Sequence, residues 1–555
     1  MENFQPSEPG HGAHRVEQNW TIPCRESRSS DLRAVRAAVF SARFLFPPWL
    51  QHWAENRAIK NVSQSRSWKK ERAHWEKSSF EYQQLLQQFQ RPPDFVICPD
   101  DKVKQYKWLI PISSYFLMFA FFVSTSLCWA EAELSLEEAN AWVKLLLLSF
   151  IPAHLHKKLC ISNTGWFLPY AYCSIKAKCF GPEGRTCTKP HHSCVRRIVS
   201  YAGWKARRCW RAAGRALTYV VKQVLQGDEV WSLKESRPSI DAGLARLIPS
   251  RVAGVCDRCG GPCAGLQGIT GDAGQFFEAV QAKDACQAVA AVLDMAEQSG
   301  HQAVTIAGSQ QQHCFFGGVV YRALLGCAVY TFNELYRMFC ACACIKFAYT
   351  GNKVWTFTGL PIGGLLIKTA TAFVLGLQEH RWNTEPHRRA QFLFDWPDRM
   401  WSHLVCRARY VDDILWLSFA LCEKCLSEGV RCVYDVPFEV TKPDGNKLQW
   451  LDFVITLRPS VFYAYRRKPF LPIPPWAAGK QYAFGVLFGR VSRWQEMGLQ
   501  PLEVLEAMVC LLFDFKRHGW NKKWLRKPVY RVAARCSGET CQLVLKGFRL
   551  CFLDA

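Results

Sequence analysis

The sequence predicts an α+β protein of several packed modules, and three observations support this fold class. The chain has 555 residues, too many for one core, and 49% of them are hydrophobic, so it is expected to fold. From Leu266 to about Arg458, short apolar strand patterns alternate with helical ones, as in helices packed on an antiparallel sheet. From Pro459 onward the apolar spacing is mostly helical.

Composition divides the chain into four segments. Residues 1–93 read as a loose arm and a polar helical extension, ended by Arg91-Pro92-Pro93. Residues 94–263 combine apolar helices with a basic stretch rich in Cys and His. Residues 264–458 contain the expected sheet, and residues 459–555 are the helical remainder.

The charge balance indicates the kind of partner. The formal net charge is +24, and the basic residues are spread along the chain. Such an excess favours polyanions, either nucleic acid or an anionic membrane surface. A dispersed excess suits a channel that follows a phosphate backbone better than it suits a short targeting tail.

Cellular location is predicted from two further features. The first residues show no secretory signal, so the 26 cysteines are expected to be reduced thiols in an intracellular, nuclear protein. Leu109–Trp129 contains no charged residue and is long enough to span a bilayer. Pro111 inside it and the acids that follow favour a buried helix over a membrane span.

Two adjacent carboxylates are the most informative feature. Asp412 and Asp413 lie between apolar runs that predict two strands joined by a tight turn, in the order Tyr410-Val411-Asp412-Asp413. Buried unpaired charge is costly, so these acids are either an exposed acidic turn or ligands of cations. Two magnesium ions about 3.5–4 Å apart, as in phosphoryl-transfer sites, would satisfy the second alternative.

A third acid and a glycine-rich loop are candidate companions. Asp272 ends a short strand pattern just before a helical one, where it is either a metal ligand or a helix N-cap. The loop contains Gly359, Pro361, Gly363 and Gly364. It either lets backbone amides approach a base pair or phosphate, or is an ordinary strand-to-helix turn.

In this order, the three motifs resemble the palm of reverse transcriptases, and more narrowly the Penelope-like retroelement and telomerase-related branch. Pro99-Asp100-Asp101-Lys102 and the Leu168-Pro169-Tyr170 segment with Lys176 and Lys178 are similar to the branch's fingers motifs. Leu448–Val454 and Tyr465–Pro469 resemble the segments that follow the palm hairpin. The resemblance covers about residues 94–530.

The resemblance implies a right-hand polymerase with fingers at 94–263, a palm at 264–458 whose antiparallel sheet carries the Asp412-Asp413 hairpin, and a helical thumb at 459–555. The implied activity is RNA-directed DNA polymerisation, in which two Mg²⁺ or Mn²⁺ ions assist transfer from a dNTP to a primer 3′-hydroxyl. An RNA template and a DNA or RNA primer are the implied partners.

The resemblance also assigns roles to residues. Asp272, Asp412 and Asp413 would be the catalytic metal ligands. The residues implied to contact nucleotide or template are Lys102, Lys176, Lys178, Phe277, Gly359, Pro361, Gly363, Gly364 and Tyr410. Ile362 and Ile367 depart from the family, which often has Gln and Ser there, so a decayed protein that binds nucleic acid without polymerising stays open. A membrane-anchored basic protein is a second alternative.

Two cysteine-containing clusters have spacings short enough for zinc. Each could supply part of a four-ligand site, although free core cysteines are the simpler interpretation. The candidate ligands are Cys187, His191 and Cys194 in the first cluster, and Cys256, Cys259 and Cys263 in the second.

Overall fold

The structure is a computed structural model that combines helices with several small sheets, which confirms the α+β class. It describes residues 14–17, 95–99, 106–111, 128–161, 165–175, 195–225, 227–274, 276–307, 313–317, 327–364, 366–393, 400–458, 460–466, 472, 481–536 and 538–552.

The strands are β1 (His14–Glu17), β2 (Phe95–Pro99), β3 (Tyr106–Pro111), β4 (Trp129–Ala132), β5 (Tyr170–Ile175), β6 (Val195–Ser200), β7 (Gly254–Val255), β8 (Pro262–Cys263), β9 (Gln267–Asp272), β10 (Ala303–Ala307), β11 (His313–Gly317), β12 (Ala328–Thr331), β13 (Phe347–Thr350), β14 (Lys353–Phe357), β15 (Cys406–Tyr410), β16 (Asp413–Ser418), β17 (Glu439–Thr441), β18 (Lys447–Trp450), β19 (Phe453–Thr456) and β20 (Phe462–Tyr465).

The helices are α1 (Leu136–Phe150), α2 (Ala153–His156), α3 (Arg207–Val224), α4 (Leu233–Leu244), α5 (Phe276–Ala279), α6 (Ala282–Gln298), α7 (Phe332–Ala343), α8 (Ala370–Thr384), α9 (Pro386–Leu393), α10 (Trp401–Leu404), α11 (Glu423–Val433), α12 (Tyr482–Glu496), α13 (Pro501–Arg517), α14 (Lys522–Ala533) and α15 (Gly538–Phe552). A 3₁₀ turn, Ile367–Thr369, precedes α8.

The expectation of one antiparallel sheet in residues 264–458 is wrong in detail, because the strands are shared among several sheets. Their orders are β15-β16-β9-β17, β4-β14-β13-β5-β6, β11-β10-β12 and β18-β19-β20. The five-stranded sheet pairs strands from both sides of residue 264, and β13 runs parallel to β5. Such pairings between distant segments leave no signal in local sequence patterns.

The sheet β15-β16-β9-β17 is packed on both faces. Ile414 and Trp416 of β16 belong to the largest buried cluster, whereas Leu415 and Leu417 belong to a second cluster. Because successive side chains of a strand point to opposite faces, an unbroken apolar run is what a doubly covered strand requires. The helices α12–α15 enclose a separate cluster of buried side chains.

The outer edge of β15 is covered by the segment before α4. Val230 N–H donates to the carbonyl of Arg409 (2.7 Å), and Arg409 N–H donates to the carbonyl of Asp228 (2.8 Å). These bonds form an isolated parallel bridge between Glu229 and Arg409.

The described residues include no helix that is long and apolar enough to cross a membrane. Most of the Leu109–Trp129 segment lies outside the described residues, although the structure assigns its first residues to β3.

Candidate functional site: a row of carboxylates beside a strained hairpin

Three acids stand in a row across one end of the sheet. Asp413 of β16 is the register partner of Asp272 of β9, and Glu439 of β17 is the partner of Asp272 on its other side. Directly opposed residues of antiparallel strands project from the same face, with Cβ atoms about 4.5–5.5 Å apart. The strand pairing therefore brings two of the predicted acids together and adds Glu439, which sequence reasoning did not identify.

Asp412 joins this group through the turn that links β15 to β16. Tyr410 and Asp413 pair across the turn, so Val411 and Asp412 form a two-residue loop. The carbonyl of Asp412 accepts a hydrogen bond from Ala273 N–H (3.0 Å), which ties the turn to the residue after Asp272. All three predicted acids thus lie at the same end of β9 and β16.

The turn is strained at Val411. Its φ is +62°, in the left-handed region that two-residue hairpins use and that a β-branched residue disfavours. Such a conformation costs on the order of 1–3 kcal/mol and persists only where surrounding contacts impose it.

A buried arginine supplies those contacts. Arg409 is fully buried, and its Nη1 donates to the carbonyl of Val411 (2.9 Å). Its Nε donates to Glu379 (2.5 Å), and its Nη2 donates to Glu229 (2.9 Å). Tyr434 donates its hydroxyl hydrogen to Glu379 as well (2.7 Å). One cation thus joins the acid-bearing turn to α8 and to the segment that covers the edge of β15.

Two acids near this arginine, Glu229 and Asp228, have raised pKa values. Burial raises the pKa of Glu229, and the Arg409 charge only partly offsets that effect. Burial also raises the pKa of Asp228, from 3.8 to about 6, although Arg407 lies 3.1 Å away and lowers it. The Oδ2 atom of Asp228 is buried and, in the part of the chain that the structure describes, has no hydrogen-bond partner. A proton on this oxygen would remove the buried negative charge and, with it, the cost of desolvating that charge.

This raised pKa gives a testable pH dependence. Because folded Asp228 binds its proton more tightly than the unfolded chain does, its stabilising contribution is complete below about pH 4 and is lost as the pH rises through about 6. Relative to Asp228→Asn, the parent chain should lose up to about 3 kcal/mol of unfolding free energy between pH 4 and 7. Urea unfolding of both proteins across this range measures the difference, and parallel curves would contradict the assignment.

The following hairpin, β18–β19, also contacts the acids. Trp450 Nε1 donates to the carbonyl of Asp413 (3.4 Å), and Trp450 itself is buried. The next turn contains Asp452, which is buried and forms an ion pair with Arg493 of α12. The segment 448–454, identified by its resemblance, therefore packs against the acid-bearing strand and connects it to the C-terminal helices.

The glycines of the 359–364 loop are explained by close packing against other residues of the protein, backbone at Gly359 and Gly363 and a side chain at Gly364. A Cβ on Gly359 would lie 2.3 Å from the carbonyl oxygen of Phe277, and one on Gly363, whose φ is +98°, would lie 2.7 Å from that of Val199. A Cβ on Gly364 would meet Ile367. The loop thus fits against α5 and β6, and its predicted contact with nucleotide stays a prediction.

Some of the remaining predicted residues lie within the described part of the chain, and the others lie outside it. Phe277 is half-buried and contacts Phe276 edge-on, Tyr410 is half-buried, and Pro361 is buried. Ile367 is buried in the main core, so this departure from the family is accommodated as packing. Outside the described residues lie Lys102, Lys176, Lys178, Cys187, His191 and Cys194.

Four cysteines form a group of their own. Among the described residues, the one set of three or more metal-binding side chains whose ligand atoms all lie within 4.8 Å of one another is Cys256, Cys259, Cys422 and Cys425. Cys263 is not a member. Burial raises the pKa of the Cys263 thiol to about 12. Burial also opposes ionisation of Cys256, but backbone N–H donors, among them those of Cys259 and Cys422, lower its pKa to about 7.

Comparisons with known proteins add no family assignment. No family model and no curated protein matches the sequence. A telomerase structure from Candida albicans, in complex with a TWJ fragment of telomeric RNA, aligns with a TM-score of 0.47 and 8% identity over 97% of this chain and 78% of that chain. Apo telomerase from Candida tropicalis aligns with a TM-score of 0.46 and 8% identity over 94% of this chain and 84% of that chain. Likeness at this level assigns neither a family nor a function to the chain.

Proposed function

We propose that this chain is an RNA-directed DNA polymerase that transfers nucleotides from dNTPs to a primer 3′-hydroxyl. One observation carries the proposal: Asp272 and Asp413 are opposed on neighbouring strands, and the Asp412 turn is bonded to the residue after Asp272. The narrower affiliation with the Penelope-like and telomerase-related branch rests on the order of the sequence motifs.

The donor set fits divalent magnesium or manganese. Like charges directly opposed across strands destabilise a sheet, and this row opposes Asp413, Asp272 and Glu439. Carboxylate oxygens are the ligands that Mg²⁺ and Mn²⁺ prefer. Asp272, Asp412 and Asp413 would hold the two ions, which, when bound, supply activation of the attacking hydroxyl and neutralisation of phosphate charge.

The chain's own contribution is to fix where the acids stand. The carbonyl of Val411 accepts a hydrogen bond from Arg409 Nη1. The carbonyl of Asp412 accepts one from Ala273 N–H, and that of Asp413 accepts one from Trp450 Nε1. Both carboxylate-bearing residues, Asp412 and Asp413, are therefore tied to elements outside the hairpin, and Val411 is tied to the buried arginine of β15. Such support is what a reaction requires when its rate depends on the placement of the reacting groups.

The charge of the chain supports a nucleic-acid substrate. A net charge of +24 attracts a phosphate backbone and disfavours basic partners. Against that basic background, a cluster of acids has no use in backbone binding but is needed for metal-assisted phosphoryl transfer. The implied phosphate contacts of Lys102, Lys176 and Lys178 belong to this proposal.

Primer extension tests it directly. The full chain is incubated with a DNA primer on an RNA template, dNTPs and Mg²⁺ or Mn²⁺, beside Asp412→Ala and the control Asp444→Ala, which removes an exposed acid from a surface turn. We expect extension by the parent and the control, and a loss of at least about 100-fold in Asp412→Ala. Equal extension by the parent and Asp412→Ala would remove the catalytic assignment.

A second candidate function is nucleic-acid binding without polymerisation, and Ile362 is the observation that favours it. This residue is half-buried, and its carbonyl accepts a hydrogen bond from Val199 N–H (2.7 Å), where the family often has a glutamine. Tight binding of a primer–template duplex by a folded parent chain that extends no primer with either metal would favour this function.

A further inference from the structure

We infer that Cys256, Cys259, Cys422 and Cys425 bind one structural zinc ion, which clamps the two acid-bearing strands at the end opposite the acids. The Sγ atoms of Cys256 and Cys425 are 3.7 Å apart, and those of Cys259 and Cys422 are 3.6 Å apart. Zinc–thiolate bonds of about 2.3 Å in a tetrahedron place sulfur atoms about 3.8 Å apart. The group therefore has the dimensions of a four-thiolate zinc site.

The backbone around the first pair of cysteines is shaped to present both thiols. Cys256 and Cys259 lie in the turn between β7 and β8. In this turn Cys256 N–H donates to the carbonyl of Gly261 (2.7 Å), and Gly260 N–H donates to the carbonyl of Cys256 (2.9 Å). Gly260 has a φ of +68°, which a residue with a side chain rarely adopts. These bonds turn the chain back on itself between the two thiols.

The second pair lies at the start of α11. Cys422 is the N-cap residue and Cys425 belongs to the first turn, so their spacing matches that of the first pair. The N–H of Cys422 donates to the Sγ of Cys256 (3.3 Å), and Arg258 Nη1 lies 3.7 Å from the Sγ of Cys425. Donors aimed at sulfur stabilise the thiolate form, which is the form that binds metal.

Disulfide bonds would not explain the spacing of these sulfur atoms. The separations of 3.6–3.7 Å are far longer than the roughly 2.05 Å of a disulfide. Four protein thiolates fill a tetrahedral zinc ion and leave no position for substrate, which is the pattern of structural sites. Cys259 is exposed, so the ion has a path from solvent.

The position of the group defines its role. The β7–β8 turn leads into the start of β9, and the end of β16 leads into Cys422, so all four cysteines lie at one end of this strand pair. At that end Gln267 pairs with Ser418, and at the opposite end Asp272 pairs with Asp413. Five residue steps of about 3.4 Å separate the ends, so the ion would lie about 17 Å or more from the acids. It can act on them only through the strands.

Through the strands, the ion would fix the register of β9 against β16. A slip of one residue would turn Asp272 to the opposite face of the sheet, away from Asp413. Asp257 N–H already donates to the carbonyl of Ala420 (2.9 Å) across the same junction. A metal ion that joins the two loops would make this junction far harder to open.

Metal content tests the inference without reference to polymerase activity. Zinc per chain is measured for the purified full-length parent, for Cys259→Ser and Cys422→Ser, and for the matched control Cys432→Ser, which alters an exposed cysteine later in α11. We expect each ligand variant to lose one zinc equivalent relative to the parent and the control. The difference is decisive even if Cys187, His191 and Cys194 bind another ion.

A second measurement covers the case in which the variants fail to fold. Replacing zinc by Co²⁺ in the parent should give the intense visible and near-ultraviolet bands of four-thiolate tetrahedral cobalt. Amide exchange in 267–272 and 413–418 should accelerate by at least about tenfold when the metal is removed, as expected for loss of more than about 1.4 kcal/mol of local stability. Equal zinc in the parent and Cys259→Ser, or cobalt bands without thiolate character, would overturn the inference.

Discussion

Replacing Asp272 with asparagine is expected to abolish primer extension while making the metal-free chain more stable. The activity loss should be on the order of 100- to 1,000-fold or more, because a principal metal ligand disappears. The stability gain should be about 0.2–1 kcal/mol, because Asp272 stands between Asp413 and Glu439 and contributes repulsion to both. A residue that costs stability and supports activity is the signature of a functional acid.

Thermal unfolding with and without Mg²⁺ completes this test. Metal bound to the folded parent raises its stability, by about 2.7 kcal/mol at a concentration 100 times the Kd, whereas Asp272→Asn should gain much less. Asp444→Asn, which neutralises an exposed acid elsewhere, should follow the parent in activity and in its response to Mg²⁺. If Asp272→Asn responds to Mg²⁺ as the parent does, Asp272 is not a ligand.

Replacing Arg409 with methionine is expected to lower the free energy of unfolding by about 3–5 kcal/mol. The side chain is fully buried, and its loss leaves the carboxylates of Glu379 and Glu229 without their shared cation. It also frees the carbonyl of Val411, so extension should fall even at temperatures where the variant is folded.

Denaturant unfolding measures this effect, and two companion variants interpret it. Arg388→Met removes an arginine whose ion pair with Glu385 is partly exposed, and should cost less than about 1 kcal/mol. Adding Glu379→Gln and Glu229→Gln to Arg409→Met should recover much of the stability, because the buried charges are then absent. Recovered stability without recovered activity would show that Arg409 positions the turn.

The sequence was informative about the acids because each stands at a local pattern boundary. The strand before Asp272 and the turn at Asp412-Asp413 both follow from short apolar runs that end at an acid. Glu439 gave no such signal, since its three-residue strand joins the row only through tertiary pairing. Arg409 was missed for a related reason: a charged residue in a strand is expected to face solvent until its buried partners are known.

The glycine loop and the cysteines show the same limit. A Cβ on Gly359 or Gly363 would clash with the carbonyls of Phe277 and Val199, and the sequence pattern could not distinguish such packing from an approach to a ligand. Cys256 and Cys259 had the spacing of half a metal site. Their partners, Cys422 and Cys425, lie more than 160 residues away, a distance that local spacing does not cover.

The covered edge of β15 affects how the chain can be divided for experiments. The segment 228–230 supplies the main-chain partners of Arg409, yet it lies before the composition boundary near residue 264. A fragment that begins at that boundary would present an unpaired row of amides and carbonyls, on which strands of neighbouring molecules can assemble. Truncations intended for crystallisation should therefore begin before residue 228.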